Sequence, residues 1–177
     1  MKHSDKFIVL DRDGTIIRDV RYGYKINEIE FLPYAMEGLL RMQAQGFRMI
    51  VVSNQAGIAR GYYTASDADK FNNEILRQLS VKGIHIEKIY YCPHHPEFTG
   101  PCQCRKPNTA LATQAAREYG FEASQAVYIG DKDSDIKFGQ NCKGITILIQ
   151  NGQYTITGTP DYRVNNLLEA ANIIISL

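Results

Sequence analysis

Short apolar runs alternate with helix-like segments along this chain. The runs have the length of strands and end at polar residues, and they cover residues 7–10, 48–53, 86–91, 126–130 and 145–149. Between them, apolar residues recur at helical spacing and Pro, Thr, Asn or Gly mark the ends, which predicts helices over 33–46, 64–81, 108–119, 133–142 and 167–175. Residues 19–31 show no period and predict a loop, and one further short strand is predicted near 161–164.

The order of these elements predicts the fold class. Strands that alternate with helices, each strand a continuous apolar run, are typical of a parallel sheet covered on both faces. We therefore expect an α/β, doubly wound, mostly parallel sheet. The 177 residues suffice for one domain, so we predict a single domain over 1–177 without a large cap domain.

Polar clusters follow four of the predicted strands at the point where each strand ends. Asp11 follows the first strand, Ser53 ends the second, Cys92 follows the third and Asp131 follows the fourth. The carboxyl ends of parallel strands meet at one edge of a sheet, where ligands bind in such folds. The sequence thus predicts one polar site at this edge.

The first cluster carries the chemistry of phosphate transfer. Asp11 and Asp13 lie two residues apart just past a strand, so both carboxylates can face one oxygen-rich pocket. Carboxylates bind Mg²⁺ and are competent nucleophiles at phosphorus. The alternative interpretation of this motif, with Gly14, is a solvated Asp-Gly turn.

The second and third clusters supply groups that bind phosphate. Ser53-Asn54-Gln55 offers a hydroxyl and backbone N–H groups at a strand end, although Ser-Asn is also common in plain turns. Arg105-Lys106 is a cation pair before a helix, and Lys106 is placed to balance the charge of a nucleophilic carboxylate. Its alternative is a solvated surface pair.

The fourth cluster is acidic and follows the fourth strand. Asp131 completes a set of carboxylates for a metal ion, and Asp135 lies one helical turn further on, where it can hold Lys106 or a metal-bound water. The alternative is an acidic first turn that satisfies the helix dipole, which we expect to be the whole role of Asp133.

Cysteine and histidine residues are concentrated in the segment 92–107. Cys92, His94, Cys102 and Cys104 form a Cys₃His set that suits a structural zinc ion. A disulfide, free thiols, or His95 as the imidazole ligand are the alternatives. Cys142 lies apart in a predicted helix and is expected to be a small core residue.

The composition of the chain argues against nucleic acids and membranes as binding partners. The formal net charge is +1 and charged residues make up 22%, which argues against a nucleic-acid or membrane-surface protein. The apolar runs are too short to span a bilayer, and the first residues lack the pattern of a signal peptide. We therefore expect a cytoplasmic protein and a monomer.

Together and in this order, the four motifs resemble the haloacid dehalogenase (HAD) superfamily, whose members carry Asp-x-Asp, Ser/Thr, Lys and Gly-Asp motifs on consecutive strand ends. The resemblance implies that Asp11 attacks a phosphate, and that Asp13 protonates the leaving oxygen and then activates water. It further implies Mg²⁺ bound by the Asp11 carboxylate, the Asp13 main-chain carbonyl and Asp131. Ser53 and Lys106 would stabilise the transferring group.

The cysteine-histidine loop narrows the resemblance. A zinc loop directly before a Cys-Arg-Lys-Pro segment is similar to that of the D-glycero-D-manno-heptose 1,7-bisphosphate phosphatases and of their relatives, the histidinol-phosphate phosphatases. Residues 54–61, 91–96 and 130–132 favour the heptose enzymes. The gap from His94 to Cys102 is shorter than in many of them, which leaves the sugar anomer open.

Candidate substrate contacts come from three sources. One is a segment that resembles the family's substrate loop, the second is the predicted phosphate cradle, and the third is the need of a second phosphate for its own cations. From these three sources we predict that the substrate contacts Tyr22, Gly23, Tyr24, Asn54, Gln55, Arg105 and Lys132. The expected partner is a small phosphorylated sugar.

Two other classes of function share parts of this pattern. A receiver domain that acts as a phosphoacceptor switch also has an acidic cluster and a Lys, but Asp13 would promote the hydrolysis that a stable switch avoids. A zinc-bearing nucleic-acid-binding module is disfavoured by the near-neutral charge. Within the enzymes, histidinol-phosphate phosphatase is the alternative.

Overall fold

The fold is an α/β sandwich around one six-stranded sheet. The computed structural model describes residues 6–177. Its strands are β1 (Phe7–Leu10), β2 (Arg48–Asn54), β3 (Ile89–Cys92), β4 (Val127–Gly130), β5 (Ile145–Ile149) and β6 (Tyr162–Val164). They lie in the order β3-β2-β1-β4-β5-β6, and every neighbouring pair is parallel. The predicted doubly wound parallel sheet is confirmed.

Helices connect the strands on both faces of the sheet. They are α1 (Ala35–Ala44), α2 (Ala56–Ala59), α3 (Ala65–Val81), α4 (Pro96–Thr99), α5 (Ala110–Tyr119), α6 (Asp133–Asn141) and α7 (Leu167–Ser176), with 3₁₀ turns at Ile26–Glu28 and Ala123–Gln125. Within residues 6–177, none of these helices is both long and apolar enough to traverse a bilayer.

The side-chain alternation of β1 explains why both faces of the sheet are covered. Ile8 and Leu10 point into one core, which α1, α3 and α7 cover, whereas Phe7 and Val9 point into a second core under α5 and α6. All four side chains are buried. A central strand that is apolar on both faces can only be stable between two helical layers.

The structure differs from the predicted elements at short helices and at one strand. The four-residue helices α2 and α4 were not predicted, because one turn is too short to show a helical period. The third strand begins at Ile89 rather than at residue 86. Ile86 is buried in the first core without belonging to the strand, so its apolar character reflects packing and not sheet pairing.

The helix starts give one confirmed prediction and one correction. Thr64 and Asp67 form a reciprocal capping box at α3, as the sequence predicts. Asn108 was predicted to cap the next long helix, which is wrong, since Thr109 occupies the cap position of α5. The Asn108 side chain donates instead to the Cys102 carbonyl oxygen at 2.7 Å and ties down the cysteine loop.

The strand order determines where the site lies. β1 is flanked by β2 and β4, so the carboxyl ends of these three strands are adjacent. Asp11, Ser53 and Asp131 stand at these ends. The predicted convergence of the polar clusters on one edge of the sheet is confirmed.

Candidate active site

Lys106 is the central cation of the site. Its Nζ atom lies 2.7 Å from Asp11 Oδ1, 2.7 Å from Asp135 Oδ1 and 2.6 Å from the Val52 carbonyl oxygen. Burial by itself lowers the pKa of Lys106, but the negative charges of Asp11 and Asp135 outweigh it, so the pKa is raised. The side chain is therefore a permanent ammonium group fixed against the Asp11 carboxylate.

Asn54 positions the backbone of Lys106. Its Oδ1 accepts from the Lys106 N–H at 2.9 Å, and its Nδ2 donates to the Lys106 carbonyl oxygen at 3.2 Å. This pair of bonds ties the end of β2 to the segment that follows the cysteine loop. Asn54 thus fixes the position of the Lys106 side chain, and it also lines a cavity at this edge of the sheet.

Three buried carboxylates surround Lys106. One oxygen each of Asp11, Asp131 and Asp135 lies within 4.8 Å of the others. Asp135 is fully engaged, because its Oδ2 accepts from the backbone N–H groups of Asp131 and Lys132 while its Oδ1 pairs with Lys106. Asp11 and Asp131 are therefore the carboxylates of this cluster that remain open to a metal ion.

Asp131 has a carboxylate oxygen whose hydrogen-bonding capacity is unused. Its Oδ2 accepts from Asn151 Nδ2 at 2.8 Å, but its Oδ1 is buried without a hydrogen-bond partner, with Lys132 Nζ at 3.8 Å. Burial, reinforced by the charge of Asp11, raises the pKa of Asp131 to about 7. An orphaned buried oxygen beside a second carboxylate is the donor set expected for a divalent cation with oxygen ligands.

Gly14 allows the first and fourth motifs to meet. Its φ of +82° is favourable for glycine, and a Cβ atom at this position would lie 2.0 Å from Asp131 Oδ2. Only a residue without a side chain lets the chain turn away from Asp13 so close to Asp131.

Asp13 is held on the other side of the site. Arg12 donates to both of its oxygens at 3.1 Å, and Gln55 Nε2 donates to Oδ2 at 3.0 Å. Ser53 Oγ lies 3.5 Å from the same oxygen and accepts from Gln55 at 2.7 Å. The carboxylate has a fixed orientation and still keeps 18% of its side-chain surface exposed.

Gln55 is itself oriented by Tyr63. The Tyr63 hydroxyl donates to Gln55 Oε1 at 2.6 Å, and burial raises the pKa of Tyr63 to about 12, so this group remains a donor. With its oxygen engaged, Gln55 must turn its amide N–H groups towards Asp13 and Ser53.

Lys132 belongs to a second charged group at the rim. Its Nζ lies 3.1 Å from Asp19 Oδ2, and the Tyr154 hydroxyl donates to the same oxygen at 2.7 Å. Burial by itself raises the pKa of Asp19, but Lys132, Tyr154 and a backbone N–H lower it below the ordinary value overall. Lys132 Nζ also lies 4.8 Å from the centre of the Tyr154 ring.

A cavity of about 410 Å³ opens beside these groups. Asp13, Gln55, Arg105 and Lys132 line it, together with Tyr22 and Gly23. Asp11, Ser53 and Lys106 line a smaller recess that shares Asp13, Asn54, Lys132 and Ser134 with it. The volume is that of a site for a small molecule.

The cysteine loop gathers its four predicted ligands. The sulfur atoms of Cys92, Cys102 and Cys104 lie 2.9 to 3.6 Å apart, and His94 Nδ1 lies 3.3 Å from Cys104 Sγ. Sulfur atoms bound at about 2.3 Å to a tetrahedral zinc ion are about 3.8 Å apart, so this cluster has the size of a zinc site. All four cysteines of the chain are free, which excludes a disulfide in this structure.

Comparison with known proteins identifies the family. A family model described as HAD-hydrolase-like matches residues 103–170. The D-glycero-alpha-D-manno-heptose-1,7-bisphosphate 7-phosphatase of Photorhabdus laumondii is 34% identical over 98% of this chain and 100% of its own length. The beta-heptose enzyme of Haemophilus influenzae is 31% identical over 96% of this chain and 97% of its own. This chain belongs to the heptose-1,7-bisphosphate 7-phosphatase family of HAD hydrolases.

A solved structure has the same fold. The D,D-heptose 1,7-bisphosphate phosphatase of B. bronchiseptica, crystallised with magnesium and phosphate, superposes with a TM-score of 0.85 over 97% of this chain and 98% of its own, at 24% identity. The predicted HAD fold and phosphatase family are confirmed. Relatives named for the alpha and for the beta sugar match to a similar degree, so the anomer stays open.

Not every residue predicted for the heptose-phosphatase site lies at the cavity. Tyr22 and Gly23 line it, whereas Tyr24 does not and stacks on Tyr63, with ring centres 5.1 Å apart. His95, the alternative metal ligand, lies outside the cysteine cluster and packs its ring on Phe98.

Sequence reasoning missed several residues that shape this site. Asn151 follows β5, so the rule that polar residues after strand ends build the site would have found it. Arg12 stands inside the first motif, but burial of a charged side chain is not visible in a sequence. Asp19 and Tyr154 reach Lys132 from two loops, and no local pattern connects them.

Proposed function

We propose that this protein hydrolyses the 7-phosphate of D-glycero-D-manno-heptose 1,7-bisphosphate through an aspartyl-phosphate on Asp11, with Mg²⁺ as the catalytic cofactor. The observation that carries the proposal is the ion pair between Lys106 and Asp11 inside a cluster of buried carboxylates, next to a cavity lined by Asp13. The names of the relatives supply the substrate.

The residues present fit a magnesium ion. Asp11 and Asp131 would hold it by their carboxylates, with the main-chain carbonyl of Asp13 as the third protein ligand. When bound, the ion neutralises charge between the carboxylates and the phosphoryl oxygens. The orphaned Oδ1 of Asp131 is the structural reason for this assignment.

In the first step, an Asp11 carboxylate oxygen attacks phosphorus. The bond between phosphorus and the sugar oxygen breaks, and Asp13 donates a proton to that oxygen as the sugar leaves. Lys106, held at Asp11, and the Ser53 hydroxyl stabilise the charge of the transferring group. Asn54 and Gln55 keep these groups in place.

In the second step, water attacks the phosphorus of the aspartyl-phosphate. Asp13 takes a proton from this water, the bond between phosphorus and Asp11 breaks, and inorganic phosphate leaves. Gln55 and Arg12 hold the Asp13 carboxylate in one orientation during both transfers. This second step is what distinguishes a phosphatase from a phosphoacceptor switch.

The second metal site has a structural role in this proposal. Cys92, His94, Cys102 and Cys104 would bind zinc with four protein ligands, which leaves no position for substrate or water. Arg105 and Lys106 follow the last cysteine directly. Zinc would therefore keep these two cations in place without taking part in the reaction.

Phosphate release from defined substrates tests the proposal. With Mg²⁺, we expect release from one or both heptose 1,7-bisphosphate anomers at a much higher kcat/KM than from histidinol phosphate. Asp11→Asn should lower kcat by roughly a thousandfold or more, because it removes the nucleophile. The exposed Asp69→Asn is the matched control and should keep the activity.

Two results would contradict this function. If histidinol phosphate were the preferred substrate, the heptose assignment would be wrong. If Asp11→Asn kept near wild-type activity while remaining folded, the nucleophile would be a different residue.

A further inference from the structure

The two carboxylate oxygens of Asp13 are bound by different numbers of donors. Oδ2 accepts from Gln55 Nε2 at 3.0 Å and from Arg12 Nε at 3.1 Å, and Ser53 Oγ lies 3.5 Å from it. Among residues 6–177, Oδ1 accepts only from Arg12 Nη2, at 3.1 Å, and that nitrogen also lies 2.9 Å from Oδ2. A carboxylate oxygen has two lone pairs. Oδ2 is therefore saturated, whereas Oδ1 keeps a lone pair that can take a proton.

The orientation of the Gln55 amide decides whether Oδ2 of Asp13 stays saturated. A glutamine amide carries a donor and an acceptor on nearly the same shape, and a half-turn about its last bond exchanges them. In the observed orientation, Nε2 donates to Asp13 Oδ2 and to Ser53 Oγ. After a half-turn, Oε1 would face Asp13 Oδ2, where it repels a carboxylate but accepts a hydrogen bond from a protonated carboxyl. A turned Gln55 would thus hold the proton of Asp13 on Oδ2, away from the open lone pair of Oδ1.

The hydroxyl group of Tyr63 opposes this half-turn. It donates to Gln55 Oε1 at 2.6 Å and has no other hydrogen-bond partner in the part of the chain that the structure describes. Tyr63 is only 5% exposed. A turned amide would present Nε2 to the hydroxyl and leave the hydroxyl proton without an acceptor, which is unfavourable for a buried group. The hydrogen bond from Tyr63 therefore favours the orientation in which Gln55 donates to Asp13.

The ring of Tyr63 is itself held in place by two neighbours. The Tyr24 ring stacks on it, with 5.1 Å between the ring centres and 21° between the planes. The α2 helix also packs on the ring, because a Cβ atom on Gly57 would collide with it. Tyr24 does not line the cavity, but by this stacking it fixes the ring whose hydroxyl orients Gln55.

We propose that Tyr63 is a positioning residue for proton transfer, which holds the Gln55 amide with its N–H groups towards Asp13 so that the proton moves at Oδ1 of Asp13. This rests on the proposed function, in which Asp13 is both the acid and the base. In the first step, Oδ1 gives its proton to the sugar oxygen as the bond between that oxygen and phosphorus breaks. In the second step, Oδ1 takes a proton from the attacking water, and phosphate leaves Asp11. Tyr63 lies outside the strand-end motifs and acts on the reaction only through Gln55.

The dependence on the leaving group tests this role of Tyr63. Tyr63→Phe should lower kcat/KM for heptose 1,7-bisphosphate by about tenfold, mainly through kcat, because the departing sugar oxygen needs the proton of Asp13. With p-nitrophenyl phosphate the change should stay below about twofold, since the phenolate leaves without a proton. Tyr90→Phe is the matched control, because Tyr90 is 4% exposed and its hydroxyl donates at 2.6 Å to Glu118, outside the site. Equal losses with both substrates would indicate a general distortion and overturn the proposal.

A double variant tests whether Tyr63 acts through Gln55. Gln55→Met has nearly the same size without the donors and should lower kcat for the bisphosphate at least as much as Tyr63→Phe. The two changes together should be no worse than Gln55→Met alone, and additive losses would overturn the proposal. Gln55→Glu keeps an oxygen for the Tyr63 hydroxyl but turns an oxygen instead of N–H groups towards Asp13, so it should show the same loss. It also preserves the test if Gln55→Met does not fold.

Nuclear magnetic resonance of the Gln55 amide separates this inference from the proposed function. In ¹⁵N-labelled full-length protein, the side-chain signals of Gln55 are assigned by their loss in Gln55→Met or Gln55→Glu. We expect one pair of amide proton signals in the wild type and in Tyr90→Phe, and a displaced or doubled pair in Tyr63→Phe. An unchanged pair in Tyr63→Phe would overturn the role of Tyr63, whatever the kinetics show. Failure of the wild type to release phosphate from the bisphosphate would overturn the proposed function instead.

Discussion

The ion pairs of Arg12 and Arg18 contribute differently to the stability of the protein, although both arginines are bonded to carboxylates. Arg12 is 1% exposed, and it contacts Asp13, Asn72 Oδ1 at 2.7 Å and the face of Phe71 at 4.7 Å. Arg18 pairs with Glu30 at 2.6 Å, but both side chains are more than half exposed. Solvent screens the exposed pair, whereas the buried guanidinium depends on all of its partners.

Replacement of these two arginines by lysine should therefore have unequal effects. Arg12→Lys keeps the charge but loses the fork that holds Asp13, so we expect kcat to fall by about tenfold and the free energy of unfolding by about 1–3 kcal/mol. Arg18→Lys should change the free energy of unfolding by less than about 0.5 kcal/mol. Urea unfolding and steady-state kinetics measure both. Equal effects of the two variants would show that Arg12 does not position Asp13.

How far the sequence predicts the site is also decided residue by residue. Asp11 and Asp131 could be found because strand ends impose a common location on residues that are far apart in the chain. Tyr24 stacks on Tyr63 and is not among the residues that line the cavity, and a loop without a period does not show which of its aromatic side chains face the cavity. The role of Asn54 at Lys106 could not be predicted either, since it depends on where a distant loop lies.

At the scale of elements, long periodic segments were predictable and single turns were not. The α3 helix carries both its apolar stripe and its capping box in its own sequence, so its start and end follow from local chemistry. The α2 and α4 turns have only four residues each, too few to show a helical period, and α2 packs against Tyr63 through Gly57. The cysteine loop was also predictable only in part, since residue spacing predicts its metal ligands but not the course of its backbone.

The cysteine loop gives a prediction at this scale. We expect one zinc ion per chain by elemental analysis, and Cys104→Ala should lose the ion and lower Tm, because a lost ligand releases the loop before Arg105 and Lys106. Cys142→Ala is the matched control, since Cys142 is buried outside the cluster, and it should keep the zinc. A folded wild type without zinc, or loss of zinc in the control, would contradict the assignment.

At the scale of the whole molecule, the site is closed by a segment far from every motif. The loop after β5 sends Asn151 to Asp131 and to the Gly14 carbonyl oxygen at 3.2 Å, and Tyr154 to Asp19. Residues 157 and 158 bind Asp133 through backbone N–H groups and the Thr157 hydroxyl. Asp133 therefore does more than satisfy a helix dipole, because it anchors this loop over the ends of β1 and β4.

Asn151 should consequently control the affinity for the metal ion. By donating to Oδ2 of Asp131 it fixes a carboxylate whose Oδ1 has no hydrogen-bond partner, so Asn151→Ala should weaken Mg²⁺ binding by about 10- to 100-fold, the range known for residues that orient metal ligands. Calorimetric titration of the metal-free protein with Mg²⁺ measures this without turnover. Gln153→Ala, in the same loop but directed at the Asp19 carbonyl oxygen, is the control and should leave the affinity unchanged. Equal Mg²⁺ affinity in wild type and Asn151→Ala would show that β1 and β4 orient Asp131 without help from the loop.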